Sequence, residues 1–197
     1  MILEIALASA VVVAASAIAR AVVTERARRD AVVSKRASVA AAIEARRGLR
    51  VGDVLLHVGD ELWLAGAIEL DEEGSSIVLF RTPENTRAAW VAQLDEDARE
   101  LALLAESTDI PEGRVPDRLP VGGRVLSLQR RGRARVTTRG EHVPEAAASA
   151  GFTILADAGG RTAIIVDFDG TTARIALVGD RVERALIDVL PGGDPPA

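Results

Sequence analysis

The residues with the sharpest chemistry are Asp167-Phe168-Asp169-Gly170-Thr171, which close the apolar run Ala163-Ile164-Ile165-Val166. Two aspartates close together at a strand end are candidates for phosphoryl-transfer chemistry, in which a carboxylate can act as nucleophile. That chemistry needs more than one loop. Further groups must follow to neutralise charge on the transferring phosphoryl. Only 26 residues follow Thr171, and none is a lysine. The better reading is an Asp-Gly hairpin turn between two apolar strands.

The same pentapeptide resembles the first motif of the haloacid-dehalogenase-type phosphatases. The resemblance implies Asp167 as nucleophile and Asp169 as general acid with magnesium between them, and a Ser or Thr, a Lys and a later acidic pair on further strands. The missing remainder of that machinery argues against the activity. Other chemical candidates are weaker still. Arg130, Arg131, Arg133 and Arg135 could contact phosphates, but strand alternation splits them between two faces and few aromatics are present for base stacking. Trp63 and Trp90 read as core anchors in a chain with five aromatics. His57 and His142 are the only histidines and cysteine is absent, so a thiolate metal site is excluded and a histidine zinc site is unsupported. No catalytic residue, metal ligand or cofactor is assigned.

Charge offers a binding reading instead. Residues 51–120 hold 16 acids and 5 bases, a net of −11, whereas residues 121–197 hold 10 bases and 9 acids, a net of +1. The acids cluster at Asp71, Glu72 and Glu73 and again at Asp95, Glu96 and Asp97, and these six are the candidate partner-binding residues. Exposed clusters of one sign raise the association rate of an oppositely charged partner. The expected partner is therefore a basic protein surface or a polyamine. A coherent positive face is lacking, so nucleic acid is not expected.

The elements that carry these residues begin with Met1–Val23, an apolar run interrupted only by Glu4 and Arg20 among charged residues. As a helix it would reach roughly 34 Å, enough to cross a bilayer core of about 30 Å. It is apolar around its whole circumference and lacks the basic start of a cleaved signal peptide, so a transmembrane anchor is preferred to a signal peptide or a core helix. Between residues 20 and 50 nine basic side chains face three acidic ones, a net of +6. Positive flanks stay on the cytoplasmic side. The expectation is a single-pass protein of the cell membrane, with the lipid bilayer as one partner and the C-terminal part in the cytoplasm.

Residues 24–48 form a basic helical stalk, rich in alanine and arginine and ended by Gly48. From residue 49 the apolar period changes to that of strands. The fold class is mainly β, with an N-terminal transmembrane helix and helical stalk ahead of a β-rich domain at 49–192 and a tail at 193–197. Asp71-Glu72-Glu73-Gly74 reads as a hairpin turn, Asp109–Pro120 as a linker with three prolines, and Pro144–Ala150 as one helical turn. Val121-Gly122-Gly123-Arg124-Val125-Leu126 echoes Val51-Gly52-Asp53-Val54-Leu55, which divides the domain into two related β units at 49–108 and 121–192.

One family resemblance covers about residues 49–192. Val51-Gly52-Asp53, Gly66 after Trp63, Trp90-Val91 before an acidic run, then Gly132-Arg133-Ala134 and Thr138-Arg139-Gly140 before the Asp167–Thr171 hairpin, resemble the bacterial domain of unknown function 4178 family. The resemblance implies a membrane-tethered protein working beside spermidine-synthase-like or phage-shock-like membrane proteins, and it carries no catalytic residue. The chain departs from that family in having no tyrosine. The functional expectation is a membrane-anchored binding or scaffolding domain that is not an enzyme. The alternative is a tethered enzyme acting on a small phosphorylated or polyamine substrate.

Overall fold

The computed structural model describes residues 48–85, 88–94 and 99–192. The anchor at 1–23, the stalk up to Arg47, Asp95, Glu96 and Asp97, and the tail all lie outside the described residues. Among the described residues no helix is long and apolar enough to cross a membrane.

Mainly β architecture is what the strand-period sequence produces. Strands β1 (Val54–His57) and β2 (Asp60–Trp63) form a first hairpin. A four-stranded antiparallel meander follows: β3 (Gly66–Glu72), β4 (Ser75–Arg81), β5 (Trp90–Gln93) and β6 (Glu100–Glu106). After β7 (Arg118–Val121) comes a second meander of β8 (Arg124–Gly140), β9 (Ser149–Ala156), β10 (Arg161–Phe168) and β11 (Arg174–Glu183). A 3-10 turn at Arg184–Leu186 leads into β12 (Asp188–Leu190).

The two meanders do not form two domains. First strand pairs with first, β3 with β8, and last with last, β6 with β11, so eight antiparallel strands close into one barrel. Closure removes the exposed sheet edges that each meander would otherwise present for aggregation. Gly179 on β11 marks a close approach at one seam, where an added Cβ would strike the Leu103 carbonyl on β6. The sequence echo itself does not fall on equivalent places. Gly52 lies in the turn entering β1, whereas Gly122 and Gly123 make the β7–β8 hairpin turn.

An eight-stranded barrel has an interior just wide enough for side chains to fill. Here it is filled by alternate residues of every strand, including Ile68, Leu70, Leu79, Trp90, Leu104, Phe152, Ile164, Phe168 and Leu177. Each large apolar side chain removed from water is worth about 1.5–3 kcal/mol. A bulge between Leu128 and Arg130 shifts the alternation of β8, turning Arg130, Gly132, Ala134 and Val136 toward the interior.

Two outer layers cover the barrel. The small sheet β12-β1-β2 lays Leu55, Leu62 and Ile187 over Ala67, Phe80, Val91 and Leu101. On the opposite meander, Ile110, Val115, Leu119 and Val121 pack over Leu155, Ala163, Ile165 and Val178. This double burial explains why β10 is a continuous apolar run without alternation. It also corrects the linker expectation. Asp109–Pro120 is a packed strap, held by Arg174 donating to the Pro111 carbonyl (2.9 Å) and Arg131 to that of Val115 (2.7 Å). Pro144–Ala150 is likewise not helical: residues 143–148 run irregularly, and Val143, Ala146 and Ala147 pack on the interior core at one end of the barrel.

Candidate functional site

The acidic hairpin forms where the spacing places it. Glu73 and Gly74 join β3 to β4, both with positive φ (49° and 89°), the pair of left-handed residues that a tight hairpin requires. Asp71 and Glu73 are exposed, and the Asp71 carboxylate accepts the Gly74 N–H at 3.3 Å. Glu72 is different. Its even position on β3 turns it inward with Ile68 and Leu70, where it accepts from Arg130 Nε at 3.0 Å. Arg130 also donates to Ser75 Oγ and lies 5.3 Å over the Phe152 ring. The pair caps the interior at this end, and Gly132 makes room for it, since an added Cβ would strike the Glu72 carboxylate. Of the three acids described, Asp71 and Glu73 are thus the ones turned to solvent.

Asp167 and Asp169 do not converge on a shared site. The connection from β10 to β11 is a turn through Asp169 and Gly170 (φ 72°), as the hairpin reading expects. Asp167 lies 3.2 Å from Arg174 Nε, whereas Asp169 accepts from Ser149 Oγ at 2.6 Å and pairs with Arg133 at 2.7 Å. The Ser149 hydroxyl first, and then Arg133, hold the Asp169 carboxyl below the ordinary carboxylate range. Asp157 is also held low: burial works against it, but the backbone N–H groups of Arg161 and Gly159 and the nearby Arg124 outweigh that.

Alternation separates the β8 arginines as anticipated. Arg130 faces inward, while Arg131 and Arg133 face outward and are neutralised by Asp117 and Asp169. Trp90 is an interior anchor at 1 % exposure, but Trp63 is 37 % exposed and corrects the core assignment. Its strand is the edge of the small sheet, where Leu62 takes the buried face and Trp63 the outer one, edge-on to His142 at 6.5 Å.

One concavity was not visible in the motifs. A cleft of about 710 Å³ opens at the barrel end where β4 and β6 finish and β5 and β11 begin. Arg81, Trp90, Glu106 and Arg174 come to it from those four strands, the strap adds Ile110 and Glu112, and the β8–β9 loop adds His142 and Val143. Glu106 Oε1 accepts from Trp90 Nε1 at 3.0 Å and lies 3.2 Å from Arg81 Nη1, while Arg81 sits 5.1 Å over the Trp90 ring. Arg174 donates Nη1 to the strap, and its buried Nε and Nη2 have no hydrogen-bond acceptor among the described residues. The approach of Nε to Asp167 is close enough for charge attraction but misaligned for a hydrogen bond. Positions 81, 90, 106, 142 and 174 share no sequence spacing: pairing within the first meander gathers Arg81, Trp90 and Glu106, and closure of β6 on β11 brings Arg174 to them. Among the described residues no group of three His, Asp or Glu side chains is arranged to hold a metal ion.

No protein-family model, no curated protein and no solved structure matches this chain.

Proposed function

We propose that this protein is a binding or scaffolding module, tethered to the cell membrane by residues 1–23 and held on the cytoplasmic side by the basic stalk. Its acidic half receives a cationic partner, a basic protein surface or a polyamine. The observation that carries the reading is the filled interior: the barrel spends its inward face on packing, so recognition falls to the surface and the ends. Asp71 and Glu73 project at one hairpin tip, rigidly based on two paired barrel strands. The resemblance to the domain of unknown function 4178 family points the same way, toward a membrane-associated assembly.

The test is co-purification from detergent-solubilised membranes. Asp71→Ser with Glu73→Gln, leaving Glu72 on Arg130, should reduce recovery of the partner and flatten the salt dependence of its binding. Unchanged recovery and unchanged salt dependence overturn the assignment of this hairpin.

A second reading, a tethered enzyme for a small phosphorylated or polyamine substrate, is favoured by one feature. Glu106, His142 and Arg174 gather around a single cleft of the size that small ligands occupy. Turnover that is lost in Glu106→Gln with the fold intact would favour it over the binding module.

A further inference from the structure

We infer that the cleft at the barrel end binds a small primary amine carrying a short apolar chain, an inference that rests on the reading of the domain as a binding module. The first ground is the state of Glu106. Two donors, Trp90 Nε1 and Arg81 Nη1, approach the same oxygen, Oε1. Among the described residues no donor reaches Oε2, and the side chain is 62 % exposed. The carboxylate is thus fixed in place with one acceptor oxygen open to the cleft, a preorganised partner for an incoming N–H donor.

The second ground is which charges a ligand can reach. Arg81 and Arg174 are recessed, at 24 % and 17 % exposure, each beside a carboxylate and each donating to a backbone carbonyl. Glu112 is exposed and has no partner among the described residues. Two carboxylates and two arginines thus line the cleft, and the carboxylates of Glu106 and Glu112 are the exposed members while the arginines are recessed. An ammonium offers three donors and no acceptor, which suits Glu106 Oε2, Glu112 and the hydroxyls of Ser107 and Thr108. Ile110, Val143 and Ile175 supply the apolar wall that a bare metal cation would not use and an alkyl chain would.

The experiment titrates n-butylammonium and, separately, butyrate into the full chain in detergent, with Trp63→Phe so that Trp90 alone reports by its emission. Saturable binding of n-butylammonium is expected, with butyrate at least tenfold weaker. Glu106→Gln keeps an oxygen for Trp90 and Arg81 and removes the charge, and should weaken binding at least tenfold. Glu112→Gln should weaken it severalfold, and Thr108→Phe, a change at an exposed rim residue, should block it. Absence of a saturable response, equal binding of butyrate, or unchanged binding in folded Glu106→Gln overturns the inference. If it fails while a partner still co-purifies through Asp71 and Glu73, the cleft assignment falls alone. Loss of both removes the binding-module reading as well.

Discussion

At the scale of single residues, much of the polar chemistry is spent on holding turns and ends. Asp169 shows this most clearly. Its carboxylate is tied to Ser149 and Arg133 at the turn that a phosphatase motif would occupy. Both contacts favour the ionised form, so the folded carboxyl titrates below its unfolded value of about 3.9. A depressed carboxyl contributes stability above the unfolded value and loses it as pH falls through the folded one. Asp169→Asn should therefore lower the melting temperature at neutral pH and flatten its decline below about pH 4. Melting curves by circular dichroism between pH 3 and 7 check this, and an unchanged slope would remove Asp169 from the acid response. Asp157, held low by its own turn, accounts for part of the decline that remains. This residue was legible as a turn aspartate from Asp-Gly in the sequence. Its partners were not, because Ser149 and Arg133 reach it only through the pairing of β8, β9 and β10.

At the scale of elements, legibility followed the local signal. The Asp71–Gly74 turn and the apolar strands β9 to β11 announce themselves by turn residues and unbroken apolar runs. The strap did not, because its prolines and glycine read as a linker while Ile110, Val115 and Leu119 supply a buried face too sparse to show a period. Trp63 misled because its size suggests burial, whereas its place on an edge strand decides exposure. The first hairpin contains a local conflict of the opposite kind. Val58 holds φ at 49° in the β1–β2 turn and is 90 % exposed. A β-branched side chain is disfavoured there by sterics and makes little contact in return. Val58→Asn should stabilise the protein by about 0.5–1 kcal/mol, since asparagine tolerates the left-handed region and the turn needs no apolar group. Thermal unfolding compared with the parent decides it. A lowered melting temperature would mean that Val58 makes contacts the strain does not outweigh.

At the scale of the whole molecule, closure of the barrel governs what can be separated from what. Both meanders contribute to every part of the interior core, so neither half at 49–108 nor at 121–192 could keep that core alone. The two ends of the described chain meet as well. Asp53, 3 % exposed, accepts the Arg50 N–H through Oδ2 and the Gly192 N–H through Oδ1, both at 2.9 Å. Leu49 is buried in the layer between the small sheet and the barrel. A fragment from Gly48 to Gly192 retains every one of these contacts and should unfold in one cooperative step in aqueous buffer without detergent. Starting instead at Val54 removes Leu49 and the Asp53 clasp, frees the end of β12, and should cost about 2–5 kcal/mol from the lost apolar burial and hydrogen bonds together. Chemical denaturation of the two fragments reads the difference. If the longer fragment is unfolded while the full chain is folded, residues before Gly48 belong to the same cooperative unit, and the tether cannot be a separate part. The complementary measurement uses reporters fused after Ala197. One that works only in the cytoplasm should be active and one that works only outside should be silent, because eight basic residues follow the apolar run within its first flank. The reverse pattern would place the barrel, its acidic hairpin and its amine-sized cleft on the other side of the membrane, and the cytoplasmic partner would have to be abandoned.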